Sequence, residues 1–358
     1  LANDDIGIHV LGHPVMAVRR DQDGNVLGFG EGDAESLMHI EIDRQSESAD
    51  FARLERDIQA TLDDVRLCVT DWAAMRDRAL QSAAHLAQAP TPLPEARVNE
   101  ACDFLRWAAD DHFIFLGYRE YELVEADGDS VLRPLPGTGL GLLRNDQRAG
   151  RSRSVRGLMA SLGAPGAEPD ALILTKTNAR SSVHRAGYMD YVGVLEFDAS
   201  GRACGERRFI GLYTSGAYNR RPWDIPMVRQ RHDYVMARSQ LTKDSHSGKA
   251  LRHILETLPR DELFQSSREE LFATAMGILA LQERIRPRLF LRRDRFGRFF
   301  SVLVYIPRDR FNTEARRRVE AMLMDALNGQ RIDTTSQVGT SPLAQLHMIV
   351  RPKAGAPE

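Results

Sequence analysis

Three cysteines, Cys68, Cys102 and Cys204, are scattered over 358 residues with no CxxC pair and no metal-like spacing. So sparse and odd a set excludes a disulfide scaffold and a structural zinc site, and reduced thiols are expected. No apolar run approaches the roughly 20 residues needed to span a bilayer. No charged n-region followed by an apolar h-region marks a secretory leader, so a cytoplasmic location is expected. The formal net charge is only −2, which lacks the basic surplus of a typical nucleic-acid binder. GxSxG, HExxH and EF-hand patterns are absent and the ten histidines are dispersed, leaving a serine hydrolase or metallohydrolase without support.

What is present is ordinary for a globular protein, with 42% hydrophobic and 27% charged residues. The length suits roughly two to three domains with real cores. The chain opens with Leu1 rather than Met, and is read as a piece of a longer polypeptide.

The pattern Arg-Arg-Asp-x-x-Gly occurs twice, at Arg19 to Gly24 and Arg292 to Gly297, each time between strand-like runs that lead into an amphipathic helix. A duplicated small α+β module is the expectation. Around the first copy, Met16 and Val18, then Met38, Ile40 and Ile42, alternate with period two. Phe51, Leu54, Ile58, Leu62, Val65, Val69 and Trp72 follow at helical spacing. Around the second copy, Phe290 and Leu291 precede the turn, Phe299 to Ile306 has buried-strand length, and Ala315, Val319, Met322, Leu323 and Ala326 mark a helical face. Asn312 or Thr313 suits its N-cap, Gly329 its C-terminal glycine, and Leu343 to Val350 a last strand. With a helix from about Glu269 to Arg284 in front, the end of the chain reads αββαβ, close to the ferredoxin-like βαββαβ plan. The first copy lacks that plan's opening strand and most of its first helix.

Between the copies, Pro90, Pro92 and Pro94 end a helix and form a linker. A short helix at Val98 to Ala109 and a strand from Phe113 follow, with further strands at Leu172 to Lys176, Tyr188 to Phe197 and Glu206 to Thr214. Asp198 to Gly205 has hairpin-turn chemistry. Pro134 to Pro169 reads as a long surface loop with one helical turn near Val155 to Leu162. The expected organisation is a truncated module with a long helix at 1–89, a linker at 90–98, an α+β domain at 99–222, a helical connector at 223–285 and a second module at 286–358.

Seven phrases in one order carry a resemblance: His13-Pro-Val-Met-Ala-Val-Arg-Arg-Asp, Glu35-Ser-Leu-Met-His-Ile-Glu-Ile-Asp-Arg, Phe115-Leu-Gly-Tyr-Arg-Glu-Tyr, the run Val183 to Val194, Gly205-Glu-Arg-Arg-Phe-Ile-Gly-Leu-Tyr, Pro259-Arg-Asp-Glu-Leu-Phe and the run Val304 to Thr313. Together they resemble the N-terminal half of the large bacterial NAD-specific glutamate dehydrogenases. The resemblance implies an α+β architecture of ACT-like modules flanking a PAS-like domain, with antiparallel sheets and helices on one face. It implies a non-catalytic regulatory or oligomerisation segment, and a parent enzyme that deaminates L-glutamate oxidatively to 2-oxoglutarate and ammonia. The catalytic residues and the NAD site would lie further along, so no catalytic residue, cofactor or metal is expected here. Implied partners are the catalytic C-terminal half, further copies of the chain and an amino-acid effector, with neither nucleic acid nor membrane. Two rivals stay open. One is a purely structural scaffold, and the other is a nucleic-acid-binding α+β module suggested by the basic Arg316-Arg-Arg near Arg292 to Arg298.

The densest polar cluster is Lys176, Arg180, His184, Arg185, Tyr188 and Asp190, followed by Glu206, Arg207 and Arg208. Guanidinium forks grip carboxylates, so it can take an acidic effector; equally, such residues form cross-strand pairs of small energetic value. In the repeated turn, Asp21 with Gly24 and Asp294 with Gly297 suit a hairpin in which Gly supplies positive φ and Asp bonds backbone amides. The functional alternative makes Arg293 and Asp294 ligand contacts. Gly137-Thr-Gly-Leu-Gly begins like a dinucleotide fingerprint but follows no clean strand and opens no helix, and Ser247-Gly-Lys-Ala lacks the leading glycine and hydroxyl of a P-loop.

Overall fold

The structure, a computed structural model, describes residues 6–44, 48–126, 129–145, 170–281, 285–339 and 341–353. The chain divides into two compact units, 1–63 and 64–358.

In the first unit the expected strands around Val18 and Ile40 are present, but in two small sheets. Strand β1 (Ile8–Gly12) pairs with β5 (His39–Ile42), while β2 (Val15–Arg20) lies between β3 (Val26–Phe29) and β4 (Asp33–Ser36). Both edges of β2 are taken by its own neighbours, which leaves β5 to pair with β1. Helix α1 (Ser48–Leu86) begins in this unit and ends in the second. Its Cys68, Met75, Ala79, Ala83 and Leu86 recur at helical spacing and belong to the second unit's core. The boundary expected at 89 therefore falls inside the helix, because its C-terminal half is a packing element rather than a tail.

The second unit centres on an antiparallel sheet of β6 (Phe113–Ala126), β7 (Asp129–Pro134), β8 (Leu140–Gly141), β9 (Leu172–Ser181), β10 (Gly187–Phe197) and β11 (Ala203–Tyr213). The order is β7-β6-β11-β10-β9, with β8 paired to β6. Helix α2 (Glu95–Trp107) starts directly after Pro94. The helical turn expected near Val155 to Leu162 lies outside the described residues.

Helices α3 (Ser215–Asn219), α4 (Val228–Arg238), α5 (His246–Thr257), α6 (Arg260–Gln265) and α7 (Arg268–Leu279) follow. Their starts are encoded locally. Ser245 caps α5 by accepting the Gly248 amide at 3.0 Å, and Ser267 with Glu270 forms a capping box on α7. Leu251, Leu255, Leu263, Phe264, Leu271 and Ala275 share one core with Tyr118, Val192, Phe209 and Leu212 of the sheet. Each large apolar side chain buried this way contributes about 1.5–3 kcal/mol. The expected connector is thus a layer of the core.

The C-terminal module is β12 (Arg288–Arg293), β13 (Phe300–Pro307), α8 (Thr313–Ala326), β14 (Gly329–Gln337) and β15 (Leu343–Pro352), in sheet order β12-β13-β15-β14. The expected αββαβ order is corrected by β14, whose polar Gly-Gln-Arg-Ile-Asp-Thr-Thr-Ser-Gln hides it from an apolar-pattern search. Asn312 caps α8 through the Ala315 amide at 2.7 Å. Asn328, at φ 47°, takes the left-handed position after the helix that Gly329 was expected to fill. Val302, Val304, Ile306, Leu346, Met348 and Val350 pack with Leu323 of α8 on one face, whereas Leu303, Tyr305 and Leu343 join the large core. Both faces of this sheet are covered, not one. Among the described residues no helix is long and apolar enough to cross a membrane.

Candidate functional site

The structure scatters the nine-residue polar cluster instead of gathering it. Strand register decides this. Lys176 stands opposite Asp190, whereas Arg208 stands opposite Gly193 and Arg119, and Glu206 opposite Leu195 and Tyr121.

Lys176 Nζ lies 2.7 Å from Asp190 and 3.3 Å from Asp261 of α6. Burial alone would lower this ammonium's pKa, but the two carboxylates more than offset it and the net shift is upward. The second Asp190 oxygen accepts the Tyr213 amide at 3.1 Å, and Tyr218 donates to Asp261 at 3.3 Å. Arg185 donates to the Tyr213 carbonyl at 3.1 Å, while His184 and Arg180 are exposed.

Glu206 and Arg208 form a separate buried knot. Tyr191 donates to Glu206, Arg208 Nε bonds the same carboxylate at 2.9 Å, and the Arg208 guanidinium lies 3.8 Å over the Tyr121 ring. Glycine at 193 makes room for it, since a Cβ there would meet the Glu206 carboxyl and the Tyr191 ring at 3.0 Å. Arg207 points away to pair with Glu196 at 2.6 Å. Tyr188 is claimed by the C-terminal module. The Arg351 guanidinium sits 3.4 Å over its ring and bonds Asn178 at 2.7 Å and the Thr177 carbonyl at 3.2 Å.

In both copies the aspartate of the repeated turn bonds the turn's own backbone amides. Asp21 accepts the amides of Asp23 at 3.0 Å and Asn25 at 2.8 Å, and its carbonyl accepts Gly24, at φ 86°. Asp294 does the same for Phe296 at 3.0 Å, Arg298 at 3.2 Å and Gly297, at φ 66°. A third copy closes the β10–β11 hairpin, where Asp198 accepts Ser200 at 2.8 Å, Arg202 at 3.1 Å and, through its carbonyl, Gly201 at φ 80°. Asp294 differs in being buried, with Thr175 of β9 donating to it at 2.7 Å. Arg293 beside it is exposed.

The glycine-rich stretch after β7 is pinned to helix α1. Asp71 accepts the Gly141 amide at 2.7 Å and pairs with Arg144, so a carboxylate already holds that amide. Among the described residues, no group of three or more His, Cys, Asp or Glu side chains is placed to hold a metal ion.

The arrangement that sequence reasoning missed is helix α6. Asp261 reaches the middle sheet through Lys176, and Glu262 reaches the C-terminal module. Arg292 Nη2 donates to Glu262 at 2.7 Å and Arg292 Nε at 3.1 Å, while Ser301 donates at 2.6 Å and His347 lies 3.8 Å away. Burial would raise the Glu262 pKa, but Arg292 and His347 hold it well below the usual carboxylate range. Phe264 stacks on Tyr213 with centroids 4.4 Å apart, and Arg260 caps the carbonyls of Tyr218 at 3.1 Å and Arg220 at 2.9 Å. The signal was in the phrase Pro259-Arg-Asp-Glu-Leu-Phe, where three consecutive charges stand inside an apolar helical region.

Comparison with known proteins fits this division. The family model of the glutamate dehydrogenase ACT1 domain matches residues 1–58, that of its helical motif 1 matches 225–284, and that of its ACT2 domain matches 288–358. An NAD-specific glutamate dehydrogenase of Halomonas elongata is 38% identical over 356 residues, covering 96% of this chain and 22% of that protein. The corresponding protein of Pseudomonas aeruginosa is 38% identical over 352 residues, again 96% and 22%. That of Mycobacterium tuberculosis is 29% identical over 351 residues, covering 96% and 20%. The chain spans about a fifth of the length of these curated relatives. With its two ACT domains and the helical motif between them matched in order, the chain belongs to the glutamate dehydrogenase family.

Proposed function

We propose that the chain is a non-catalytic segment that regulates and assembles an NAD-specific glutamate dehydrogenase in the cytoplasm. The parent reaction is the oxidative deamination of L-glutamate to 2-oxoglutarate and ammonia, with NAD bound by a catalytic half beyond this segment. The observation that carries this reading is helix α6, whose Asp261 and Glu262 fasten the middle sheet and the ACT2 module to one short element. Such a hub converts a displacement of one module into a displacement of the other, which is what regulation at a distance requires.

The middle sheet is antiparallel throughout, with its first and last strands, β6 and β11, side by side at its centre, and this supports the PAS-like reading. Exposed Leu11 (62%), Val15 (66%) and Phe29 (71%) on the short ACT1 strands support assembly with further copies of the chain. An amino-acid effector is the ligand class in keeping with this role, and neither nucleic acid nor membrane is a partner in it.

The test is threefold. The chain is expected to show no glutamate-dependent NADH production, a mass that rises with concentration, and a melting shift with one or more amino acids. Turnover by these 358 residues overturns the reading. A concentration-dependent mass without any melting shift reduces it to a scaffold.

A further inference from the structure

The apolar stripe that the sequence places on α1 is not the face that packs into the core. Cys68, Met75 and Ala79 are buried on one side of the helix. Phe51, Ile58, Val69 and Trp72 lie about a quarter-turn round it and are exposed, Val69 at 71% and Phe51 at 56%. Leu62 and Val65, on the same stripe, are half-buried. One helix thus carries two apolar faces, of which only one is covered among the described residues.

The exposed face has the spacing of a coiled-coil seam. Phe51, Ile58, Val65 and Trp72 recur every seven residues, and Glu55, Leu62, Val69 and Arg76 alternate with them at steps of four and three. The seam runs for nearly four heptads along a helix unbroken from Ser48 to Leu86, long enough for such a repeat to specify pairing. Its charges choose the direction. Two copies side by side in parallel would set Glu55 against Glu55 and Arg76 against Arg76, which is unfavourable. Reversed, the seam is complementary to itself. Leu62 then meets Val65 of the second copy, Val69 meets Ile58, and Arg76 meets the Phe51 ring with Glu55 one turn away.

We infer that α1 pairs antiparallel with α1 of a second copy of the chain through this seam, about a two-fold axis near Asp63 and Asp64. Those two carboxylates lie off the seam, where Gln59 donates to Asp63 at 2.9 Å and Ser182 to Asp64 at 3.2 Å. The pairing rests on the assembly part of the reading above and gives it a surface other than the short ACT1 strands.

The experiment is sedimentation equilibrium of the chain over a range of concentrations, set beside Val69→Glu. The parent is expected to form dimers. Val69→Glu puts a charge into an apolar layer from an exposed position, so it should raise the dissociation constant about tenfold or more with the helical circular dichroism unchanged. Direction is read by oxidation in a Cys204→Ser background, which removes the exposed native thiol. Ile58→Cys and Val69→Cys chains should form no interchain disulfide when alone and a mixed one when combined. Identical mass curves for the parent and Val69→Glu overturn the proposal and leave assembly standing on another surface. A disulfide between like chains, or none between unlike ones, overturns it as well. A parent that stays monomeric throughout overturns both the proposal and the assembly reading.

Discussion

Asp261 and Glu262 are neighbours in sequence whose carboxylates bind different modules, the first meeting Lys176 of the middle sheet at 3.3 Å and the second meeting Arg292 of ACT2 at 2.7 Å. Successive residues on a helix point about 100° apart, so a single turn placed between two bodies can hold both. Glu262 is the more deeply buried, at 5% exposure, and its partner Arg292 is at 8%.

Removing one member of that pair strands the other. Glu262→Ala should cost about 3–5 kcal/mol in urea unfolding. Glu262→Leu combined with Arg292→Met should cost clearly less than Glu262→Ala, since no buried charge is then left alone. Equal losses for the two would refute the account.

Acid should expose the same tie. The folded-state pKa of Glu262 is depressed below its unfolded value of 4.5. Its contribution is therefore present above that value and lost as pH falls through and below it toward the folded pKa. Stability measured from pH 6 to pH 3 should drop more steeply in the parent than in Glu262→Gln. Parallel curves would show that the carboxylate is not the group responsible.

The two copies of the repeated turn should respond unequally. Asp294→Ala removes two amide bonds and the Thr175 bond from a buried site, for a loss of about 2–3 kcal/mol. Asp21→Ala, in an exposed turn, should cost less than about 1 kcal/mol. A role for Asp294 in holding an amino acid would show instead as lost binding heat with little change in stability.

Thiol reactivity reports the core directly. Cys68 and Cys102 are buried and Cys204 is exposed, so one of three thiols should react with a thiol reagent in the folded chain and all three in denaturant. Burial, with Glu196 and Asp198 nearby, raises the Cys204 pKa, so its reaction should be slower at neutral pH than that of a free cysteine. Rapid labelling of Cys102 before unfolding would contradict the packing of α2 against α1.

Much of the fold was legible because apolar spacing carries it. Strands β10, β11 and β13 are buried on both faces and read as nearly continuous apolar runs, helix α8 carries its apolar residues at helical spacing, and Asn312 announces its start. Strand β14 was not, because it is held by backbone pairing to β15 and exposes most of its side chains. The candidate site was the least legible part. Lys176, Glu206, Arg208 and Tyr188 look like one cluster along the chain, but pleat and register send them to three separate sets of partners. Two of those sets, at Asp261 and Arg351, draw on residues far away in sequence.

The turn built on Asp21 recurs at Asp198 and Asp294, in a hairpin of the middle sheet as well as in both ACT domains. Every bond that defines it closes within a handful of residues, so any tight reversal of the chain can arrive at it independently. Matching phrases of this kind are therefore poor witnesses to common descent, and kinship between the two ends of the molecule has to be argued from how whole strands and helices are ordered.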